Sequence, residues 1–339
     1  MNCAIIFGGT GFIGCFFSNF LTEQVGYDKI YLADFESINN KDSDWRKKLF
    51  LSNPKIEEVF CDVRNEILLS FPYSINLIVN LAAIHREPGH DDHQYFKTNL
   101  LGAENICKFA EKINCKKIIF TSSIAPYGAS NSLKNESTLP IPVTAYGSSK
   151  LLAEKIHQIW QAKDSACRKL VIVRPGVVFG PSEGGNVSRL IKAVLRRYFI
   201  FMGNRATRKA GVYVKELCHA MWWVLNEQEN NGETVSLFNM SMNPSPSIGD
   251  YVSAVCKTQG KKFFILTVPY RLLISTAQII DIVLKPFGLK HPFSPIRIRK
   301  LMCSNHIIPF YLMEHGYIFQ YSLESAFADW KKLCPDEWQ

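Results

Sequence analysis

The sequence predicts an α/β fold in which a doubly wound parallel sheet carries a smaller mixed α/β lobe. Three observations support this class. Short apolar runs alternate with helical patterns through the first half, a glycine-rich turn follows the first run, and the pattern loosens after Arg174-Pro175-Gly176. We therefore expect one domain at residues 1–175 and a lobe formed mainly by residues 176–339, with an interleaved boundary.

The elements follow one another in the order that a parallel sheet requires. The run at 77–83 is almost entirely apolar, as expected for a strand that is buried on both faces. The predicted strands are 4–7, 29–34, 59–63, 77–83, 117–123 and 170–174; the predicted helices are 12–25, 95–113 and one that contains 146–150.

The composition is that of an ordinary globular protein. It has 339 residues, of which 47% are hydrophobic and 20% charged, so there is ample material for a core. The ten cysteines are scattered and form no C-x-x-C pair or cysteine–histidine cluster. We expect reduced thiols, a cytoplasmic location and no metal site.

No membrane-spanning segment or signal peptide is expected from the sequence. The first residues lack a basic region and form a strand, and no run of ~20 uninterrupted apolar residues occurs. The nearest approach, 263–289, is interrupted by prolines and charged residues. It favours an amphipathic helix of the smaller lobe over a segment that lies on a membrane surface.

The net charge of +9 raises the question of a nucleic-acid partner. The basic residues are widely spread, and the denser group consists of Arg196, Arg197, Arg205, Arg208 and Lys209. Because no nucleic-acid-binding motif accompanies this group, a small diphosphate ligand is the better interpretation, and no nucleic acid is expected.

A glycine loop joins the first strand to the first helix. Gly8 permits a sharp turn, Gly11 lets the backbone approach a pyrophosphate, and Gly14 lets the helix pack on the strand. Phe12 and Ile13 open the helix whose N-terminus faces the phosphates. The order of strand, loop, helix and second strand predicts a Rossmann-type dinucleotide-binding domain.

An acidic residue ends the second strand and indicates which dinucleotide is bound. Asp34 stands 20 residues after Gly14, where a carboxylate accepts hydrogen bonds from the ribose hydroxyls and repels a 2′-phosphate. NAD is therefore favoured over NADP. Asp62 and Val63, at the end of the third strand, either bind the adenine edge or serve a local capping role.

A tyrosine and a lysine one helical turn apart supply candidate proton-transfer groups. Tyr146 and Lys150 share a helix face, and Ser123 lies 23 residues earlier. We expect the ammonium group to stabilise the phenolate and lower its pKa from about 10. Ser123 can then hold a substrate hydroxyl, an arrangement that suits hydride transfer at a carbinol carbon.

With these motifs in order, the chain resembles the extended short-chain dehydrogenase/reductase family, in its nucleotide-sugar epimerase and dehydratase branch. The resemblance runs from residue 1 to about 180. It rests on GGTGFIG at 8–14, Asp34, CDV at 61–63, NLAA at 80–83, TSSIAPYG at 121–128, YGSSK at 146–150 and RPGVVFGP at 174–181.

The resemblance implies roles for individual residues. Tyr146 would be the catalytic acid/base, Lys150 would also bind the nicotinamide ribose, and Ser123 would hydrogen-bond the reacting sugar hydroxyl. Asn99 would anchor a water beside the lysine. Ala82 and His85 would flank the cofactor, although related epimerases often carry a lysine where this chain has His85.

Beyond residue 180 the resemblance is to the family's substrate-binding half. Asn186 and Val187 resemble the segment that holds the sugar-nucleotide diphosphate, and Phe201 lies in a strand, 199–203, that would run along the base. Arg208 or Lys209, and Arg297 or Arg299, would supply positive charge. Tyr213-Val214-Lys215-Glu216-Leu217 replaces the usual acidic pair of many relatives.

The reaction that this resemblance favours is an NAD-dependent 4-epimerisation through a transient 4-keto sugar. Sugar dehydratases place Asp-Glu after the active-site serine, whereas Ile124-Ala125 stands here. A nucleotide-sugar 4-ketoreductase, a hydroxysteroid-type dehydrogenase and a silent binding protein are the alternatives. The resemblance also implies a UDP-hexose or UDP-N-acetylhexosamine substrate, a place in polysaccharide biosynthesis and a homodimer.

Overall fold

The main sheet of the computed structural model has seven parallel strands in the order β11-β7-β5-β4-β1-β2-β3. The structure describes residues 1–40, 44–87, 89–128, 130–284 and 303–339. The sheet strands are β1 (Cys3–Phe7), β2 (Lys29–Asp34), β3 (Ile56–Phe60), β4 (Ile75–Asn80), β5 (Lys117–Thr121), β7 (Lys169–Pro175) and β11 (Val235–Met240). The predicted fold class is confirmed.

Helices cover both faces of this sheet, and alternation along β1 shows how the layers form. Ile5 and its neighbours face a core built with α3 (Asp92–Lys112) and α4 (Ala145–Ala162). Ala4 and Ile6 face the opposite core, which contains α1 (Phe12–Phe20) and α6 (Val214–Asn231). Successive side chains of a strand point to opposite faces, so a continuous apolar strand is buried twice.

The topological switch point lies between β1 and β4. From β1 the chain moves outward to β2 and β3 and then returns to β4 on the other side of β1. In an open parallel sheet a crevice forms at the carboxyl ends of the strands at such a point. The loops that follow β1 and β4 therefore frame the candidate site.

The boundary between the two parts of the chain is more interleaved than a cut at residue 175 implies. β11 pairs in parallel with β7 and so belongs to the main sheet, although it lies beyond that position. α6 likewise packs on the sheet with α1. Residues 176–339 thus contribute one strand and one covering helix to the first domain as well as forming the smaller lobe.

The smaller lobe consists of short helices and three two-stranded parallel ribbons. The ribbons pair β8 (Val177–Phe179) with β10 (Gly211–Tyr213), β9 (Phe201–Met202) with β12 (Thr267–Val268), and β6 (Ser130–Lys134) with β13 (Asn305–Ile307). The remaining helices are α2 (Asp44–Leu51), α5 (Asn186–Leu195), α7 (Ile248–Gln259), α8 (Tyr270–Leu284), α9 (Phe310–Glu314) and α10 (Leu323–Leu333).

The apolar segment predicted to be an amphipathic helix contains α8, and its last five residues lie outside the described part of the chain. Within the described ranges, none of the helices combines the length and apolarity needed to cross a bilayer.

Candidate active site

The glycine loop forms a backbone cradle at the switch point. Gly8 has a φ of +74°, and a Cβ on it would lie 2.8 Å from the backbone nitrogen of Ala82 in the loop after β4. Gly11 is the extended N-cap of α1 and has no side-chain cap, so the helix N-terminus stays open to an anion. A Cβ on Gly14 would collide with the Gly9 carbonyl oxygen.

The predicted cofactor residues of the first helix and second strand adjoin this cradle. Phe12 and Ile13 are the first residues of α1, and both pack against the core of its sheet face. Asp34 ends β2, and its carboxylate accepts a 2.7 Å hydrogen bond from the buried Thr10 hydroxyl. This bond fixes the carboxylate beside the loop, where it suits a ribose diol.

Asp62 has a local partner that the sequence did not disclose. Its carboxylate accepts two-point hydrogen bonds from the Arg64 guanidinium, the closest at 2.7 Å, and one from the Arg64 backbone. These bonds hold the pKa of Asp62 below its ordinary value. The buried Val63 packs against Gly102 of α3. Asp62 therefore stabilises the turn that follows β3; no helix for it to cap begins within residues 61–70.

The loop after β4 is held from below by a buried amide–imidazole pair. The side-chain oxygen of Asn80 accepts from the Ala82 nitrogen at 3.2 Å, and its amide donates to His157 Nε2 at 3.2 Å. His157 Nδ1 donates to the Ala153 carbonyl at 2.7 Å. Burial lowers the pKa of His157 to about 4, so this ring is neutral near pH 7.

His85 lies farther along the same loop and is exposed. Its pKa is lowered, first by desolvation and then by the positive charges of Lys150 and Arg86. A neutral imidazole near Lys150 can donate or accept a hydrogen bond, but adds no second positive charge.

Tyr146 and Ser123 meet where the N-terminus of α4 approaches the turn after β5. Thr144 caps α4 by accepting from the Gly147 nitrogen at 3.1 Å, which places Tyr146 in the first turn. The Ser123 hydroxyl lies beside the Tyr146 phenol and acts to lower its pKa. A Cβ on Gly147 would lie 2.8 Å from the Ala125 carbonyl oxygen, so the absence of a side chain permits this approach.

The expected low pKa of Tyr146 is wrong for the chain by itself. Desolvation raises the pKa of Tyr146 to about 12, and the Ser123 hydroxyl opposes that rise. Desolvation also lowers the pKa of Lys150 to about 7. The lysine ammonium donates to the Thr121 carbonyl at 2.8 Å and lies 5.0 Å from the Phe120 ring centroid. Desolvation is therefore the largest influence on the pKa of each member of the pair.

Asn99 links three parts of the site through direct contacts. Its side chain bonds the backbone nitrogen of Ile84 at 3.0 Å and donates to the Ser149 hydroxyl at 2.8 Å. Ser149 in turn donates to the Tyr146 carbonyl at 2.9 Å. α3 therefore holds both the loop after β4 and the first turn of α4, and the role of Asn99 in anchoring a water stays a prediction.

A buried ion pair one turn beyond Lys150 was not predicted. Glu154 makes a two-point contact with Arg174, at 2.8 and 2.6 Å, and accepts from the Ser122 hydroxyl at 2.5 Å. Burial opposes the Arg174 charge, yet the Glu154 contact raises the Arg174 pKa. The (i, i+4) spacing from Lys150 was the available sequence signal.

The predicted diphosphate segment begins α5. Asn186 is exposed and its side-chain oxygen accepts from Arg189 at 3.0 Å, whereas the Val187 side chain is buried in the core. The Glu183 carboxylate caps the helix by accepting from the Ser188 nitrogen at 3.1 Å. An incoming diphosphate would compete with this carboxylate for the helix N-terminus.

Of the other predicted substrate residues, one is buried, two donate to backbone carbonyls and one lies outside the described residues. Phe201 is buried, with the Arg205 guanidinium 4.4 Å from its ring centroid. Arg208 donates to the Ser245 carbonyl at 2.5 Å, and Lys209 donates to the Cys303 carbonyl at 2.7 Å. Arg299 lies outside the described residues.

The segment that stands in place of the usual acidic pair has local structural roles. Lys215 pairs with Asp329 at 2.7 Å, and Asp329 also accepts from the Tyr213 hydroxyl at 2.6 Å. In the described ranges, no group of three or more histidine, cysteine, aspartate or glutamate side chains is placed to hold a metal ion.

Comparisons with known proteins agree with this geometry. The model of the NAD dependent epimerase/dehydratase family matches residues 4–239. The chain is similar to an N-acetyl-α-D-glucosaminyl-diphospho-ditrans,octacis-undecaprenol 4-epimerase of Escherichia coli O157:H7, at 28% identity over 95% of this chain and 92% of the relative. It is also similar to a UDP-glucose 4-epimerase of Mycoplasma genitalium, at 26% identity over 68% and 75% of the two chains.

Solved structures share the fold across nearly the whole chain. A UDP-glucuronic acid 4-epimerase from Bacillus cereus in complex with NAD superposes with a TM-score of 0.75 at 19% identity, covering 99% of this chain and all of that one. A UDP-N-acetylglucosamine 4-epimerase from Methanobrevibacter ruminantium M1 gives 0.74 at 17% identity, covering 99% of each chain. Together with the family match, these findings confirm the predicted family resemblance and NAD as the cofactor.

Proposed function

Because the chain belongs to the NAD dependent epimerase/dehydratase family, we propose that it inverts the C4 hydroxyl of a diphosphate-linked sugar through a transient 4-keto sugar. The observation that carries this proposal is that Ser123 lies beside the Tyr146 phenol, with Lys150 one helical turn farther along α4. These groups adjoin a backbone cradle that fits a dinucleotide pyrophosphate, at the switch point of the sheet.

Tyr146 is the proposed proton acceptor and donor. Ser123 holds the C4 hydroxyl, and the phenolate of Tyr146 takes its proton as the carbon–hydrogen bond breaks. Bound NAD supplies a hydride acceptor for that carbon and, once reduced, a hydride donor for the opposite face of the keto sugar. Tyr146 then returns the proton to the new alkoxide. Atoms and electrons balance without an external reductant.

Cofactor residues are proposed on the same basis. Gly8, Gly11 and Gly14 would admit the pyrophosphate, and Asp34 would accept hydrogen bonds from the adenosine ribose. Lys150 would contact the nicotinamide ribose. The preference of Asp34 for NAD supports an epimerase over a 4-ketoreductase, because an epimerase keeps its NAD bound whereas a reductase must exchange its cofactor in every turnover.

We propose that the group attached to the sugar, by which the protein binds its substrate, is a diphosphate. Asn186 at the start of α5 and Arg208 of the smaller lobe are the residues assigned to it. A UDP-hexose or UDP-N-acetylhexosamine is the first candidate, with polysaccharide biosynthesis as the setting. A polyprenyl-diphosphate sugar is the second, supported by the Escherichia coli relative that spans 95% of this chain.

A homodimer in a reducing cytoplasm completes the proposal. Leu152 and Ile159 are exposed, seven residues apart and therefore on one face of α4, and Leu101 is exposed on the adjoining α3. A twin helix pair could cover them. All ten cysteines are unpaired, as in proteins of reducing compartments.

Incubation without added coenzyme tests the reaction. The protein would be mixed with UDP-glucose, UDP-N-acetylglucosamine or the polyprenyl-diphosphate form of the latter, and the product analysed by NMR. We expect inversion at C4 in wild type. Tyr146→Phe should lose at least about a thousandfold in turnover and still bind NAD. Conversion that requires added reduced coenzyme and a keto sugar would overturn the epimerase proposal.

A further inference from the structure

The ribbon formed by β9 and β12 is apolar on both of its faces. The backbone N–H of Phe201 donates to the Leu266 carbonyl at 2.9 Å, and the strands run parallel. On the inner side, Phe199, Phe201, Phe263 and Ile265 pack against the core. On the outer side, Tyr198, Ile200, Phe264 and Leu266 are exposed, with Phe264 at 92%.

This outer set, which we name the apolar edge, is unusual for a ribbon that faces water. Alternation normally places polar side chains on the solvent side of a half-buried ribbon. Here both sides carry large apolar groups, and Leu272 of α8 adds another exposed apolar side chain shortly after β12. Neighbouring exposed apolar side chains of this size mark an interaction surface.

Positive charge flanks the apolar edge in a repeated pattern. Arg196 and Arg197 stand directly before Tyr198, and Lys261 and Lys262 stand directly before Phe263; all four are exposed. Because the two strands are parallel, both basic pairs lie at the same end of the ribbon. Residues 184–215 and 251–280 together contain twelve lysines and arginines and no aspartate or glutamate.

The chemistry of this surface identifies its partner. Large apolar side chains bordered by basic ones match the boundary between acyl chains and anionic headgroups. We propose that the apolar edge binds the surface of an anionic phospholipid bilayer, with the two basic pairs at the phosphate level. The inference goes beyond the proposed reaction and stands whether the sugar's diphosphate is joined to a nucleoside or to a lipid.

Vesicle sedimentation tests the proposal. The full-length protein should sediment with phosphatidylglycerol-containing vesicles, sediment much less with pure phosphatidylcholine vesicles, and be released as salt is raised. The double variant Phe264→Ser/Leu266→Ser should reduce the bound fraction at least about tenfold. Arg196→Gln/Arg197→Gln should weaken the preference for the anionic vesicles, and adding Lys261→Gln/Lys262→Gln should remove it.

A matched control is available elsewhere on the chain. Leu139 and Ile141 are also exposed, at 75% and 63%, and are spaced two residues apart, but they lie outside the ribbon. Leu139→Ser/Ile141→Ser should bind vesicles as wild type does. Circular dichroism and epimerisation of a water-soluble UDP-sugar separate loss of binding from loss of fold or of activity.

Two results would overturn the inference. One is that the wild-type protein fails to sediment with anionic vesicles. This includes the case in which a second copy of the chain covers the apolar edge, which gel filtration would show as a wild-type dimer that is lost in Phe264→Ser/Leu266→Ser. The other is equal vesicle binding by wild type and that double variant. Neither result bears on C4 inversion of a soluble substrate, so the two proposals fail independently.

Discussion

Tyr146 has a pKa set by opposing neighbours, and this opposition controls how the rate should vary with pH. Desolvation raises the pKa, the Ser123 hydroxyl lowers it, and the negative charge of Glu87 and the Tyr95 phenol raise it further. A base whose pKa exceeds the working pH gains ionised fraction as pH rises. The proposed reaction should therefore accelerate from neutral to mildly alkaline pH.

Substitution of two of these neighbours should shift the pH profile in opposite directions. Ser123→Ala removes the contact that lowers the Tyr146 pKa, so the rising limb of kcat/KM should move to higher pH, with a loss of about tenfold or more at pH 7. Glu87→Gln removes a charge that raises that pKa, so the limb should move slightly to lower pH. Shifts in the same direction would contradict this account.

The lowered pKa of Lys150 predicts how the free energy of unfolding changes with pH. The folded value of about 7 lies below the ordinary 10.5. Between these values the unfolded chain holds a proton that the folded chain has lost, so the free energy of unfolding rises with pH. Below pH 7 Lys150 is protonated in both states, so the folded state bears the full desolvation cost of the buried ammonium.

The variant Lys150→Met removes this titration. Relative to it, wild type should gain up to about 1.4 kcal/mol per pH unit between roughly pH 7 and 10. Urea unfolding of both proteins across this range measures the difference, and subtraction cancels the cysteines and tyrosines that titrate in both. A difference that does not change with pH would show that the lysine is not desolvated.

At the level of elements, the contact between α4 and the turn after β5 positions the catalytic pair. Gly147 lies against the Ala125 carbonyl, and Ser149 and Asn99 hold the same helical turn from the side. The approach of Gly147 to the Ala125 carbonyl is a contact between backbones, so it leaves little room for adjustment. Helix position, more than side-chain flexibility, then determines whether Tyr146 reaches Ser123.

Gly147→Ala should displace the first turn of α4. The added Cβ would lie 2.8 Å from a backbone oxygen, a separation that requires the helix or the turn to move. Because misplacement of a catalytic group by about 1 Å can cost about a hundredfold, kcat should fall by a factor of this order while NAD remains bound. Ser148→Ala, on the same turn, is the control; equal activity of both variants would contradict the prediction.

Several elements were predictable from the sequence because their patterns are local. β2 was predicted with its observed bounds, and the predicted first helix, 12–25, was observed as α1 followed by a π-helical turn at Leu21–Val25. The third strand was predicted three residues late. β3 is an edge strand whose Glu57 and Glu58 bond to Lys29 and to the loop after β2, so its first half lacks an apolar pattern.

The site was only partly predictable, since some of its contacts depend on strand order. The loop glycines, Asp34 and Tyr146 occur in linear motifs. Glu154, in contrast, meets Arg174 and Ser122 only because β5 and β7 are adjacent in the sheet. The direction of the Tyr146 pKa shift was also missed, because burial, which determines it, is not visible in a motif.

At the scale of the whole molecule, the two lobes share structure and should not unfold separately. β11 lies in the main sheet, although it comes after much of the smaller lobe in the chain. α6 packs against that sheet and also carries Glu216, whose buried carboxylate accepts from the Tyr317 hydroxyl at 2.5 Å and the Tyr321 nitrogen at 2.7 Å. The segment 317–321 is thereby tied to a helix that covers the first domain.

Glu216→Ala should weaken the entire protein. Loss of this carboxylate leaves the Gln320 and Tyr321 N–H groups without their acceptor, and a cost of about 2–4 kcal/mol in the free energy of unfolding is expected. Glu216→Gln should cost much less, because its amide oxygen can still accept from both N–H groups. Urea unfolding followed by tryptophan fluorescence and by circular dichroism should give coincident curves for all three proteins. Separate transitions for the two probes in wild type would show that the lobes unfold independently despite their shared sheet.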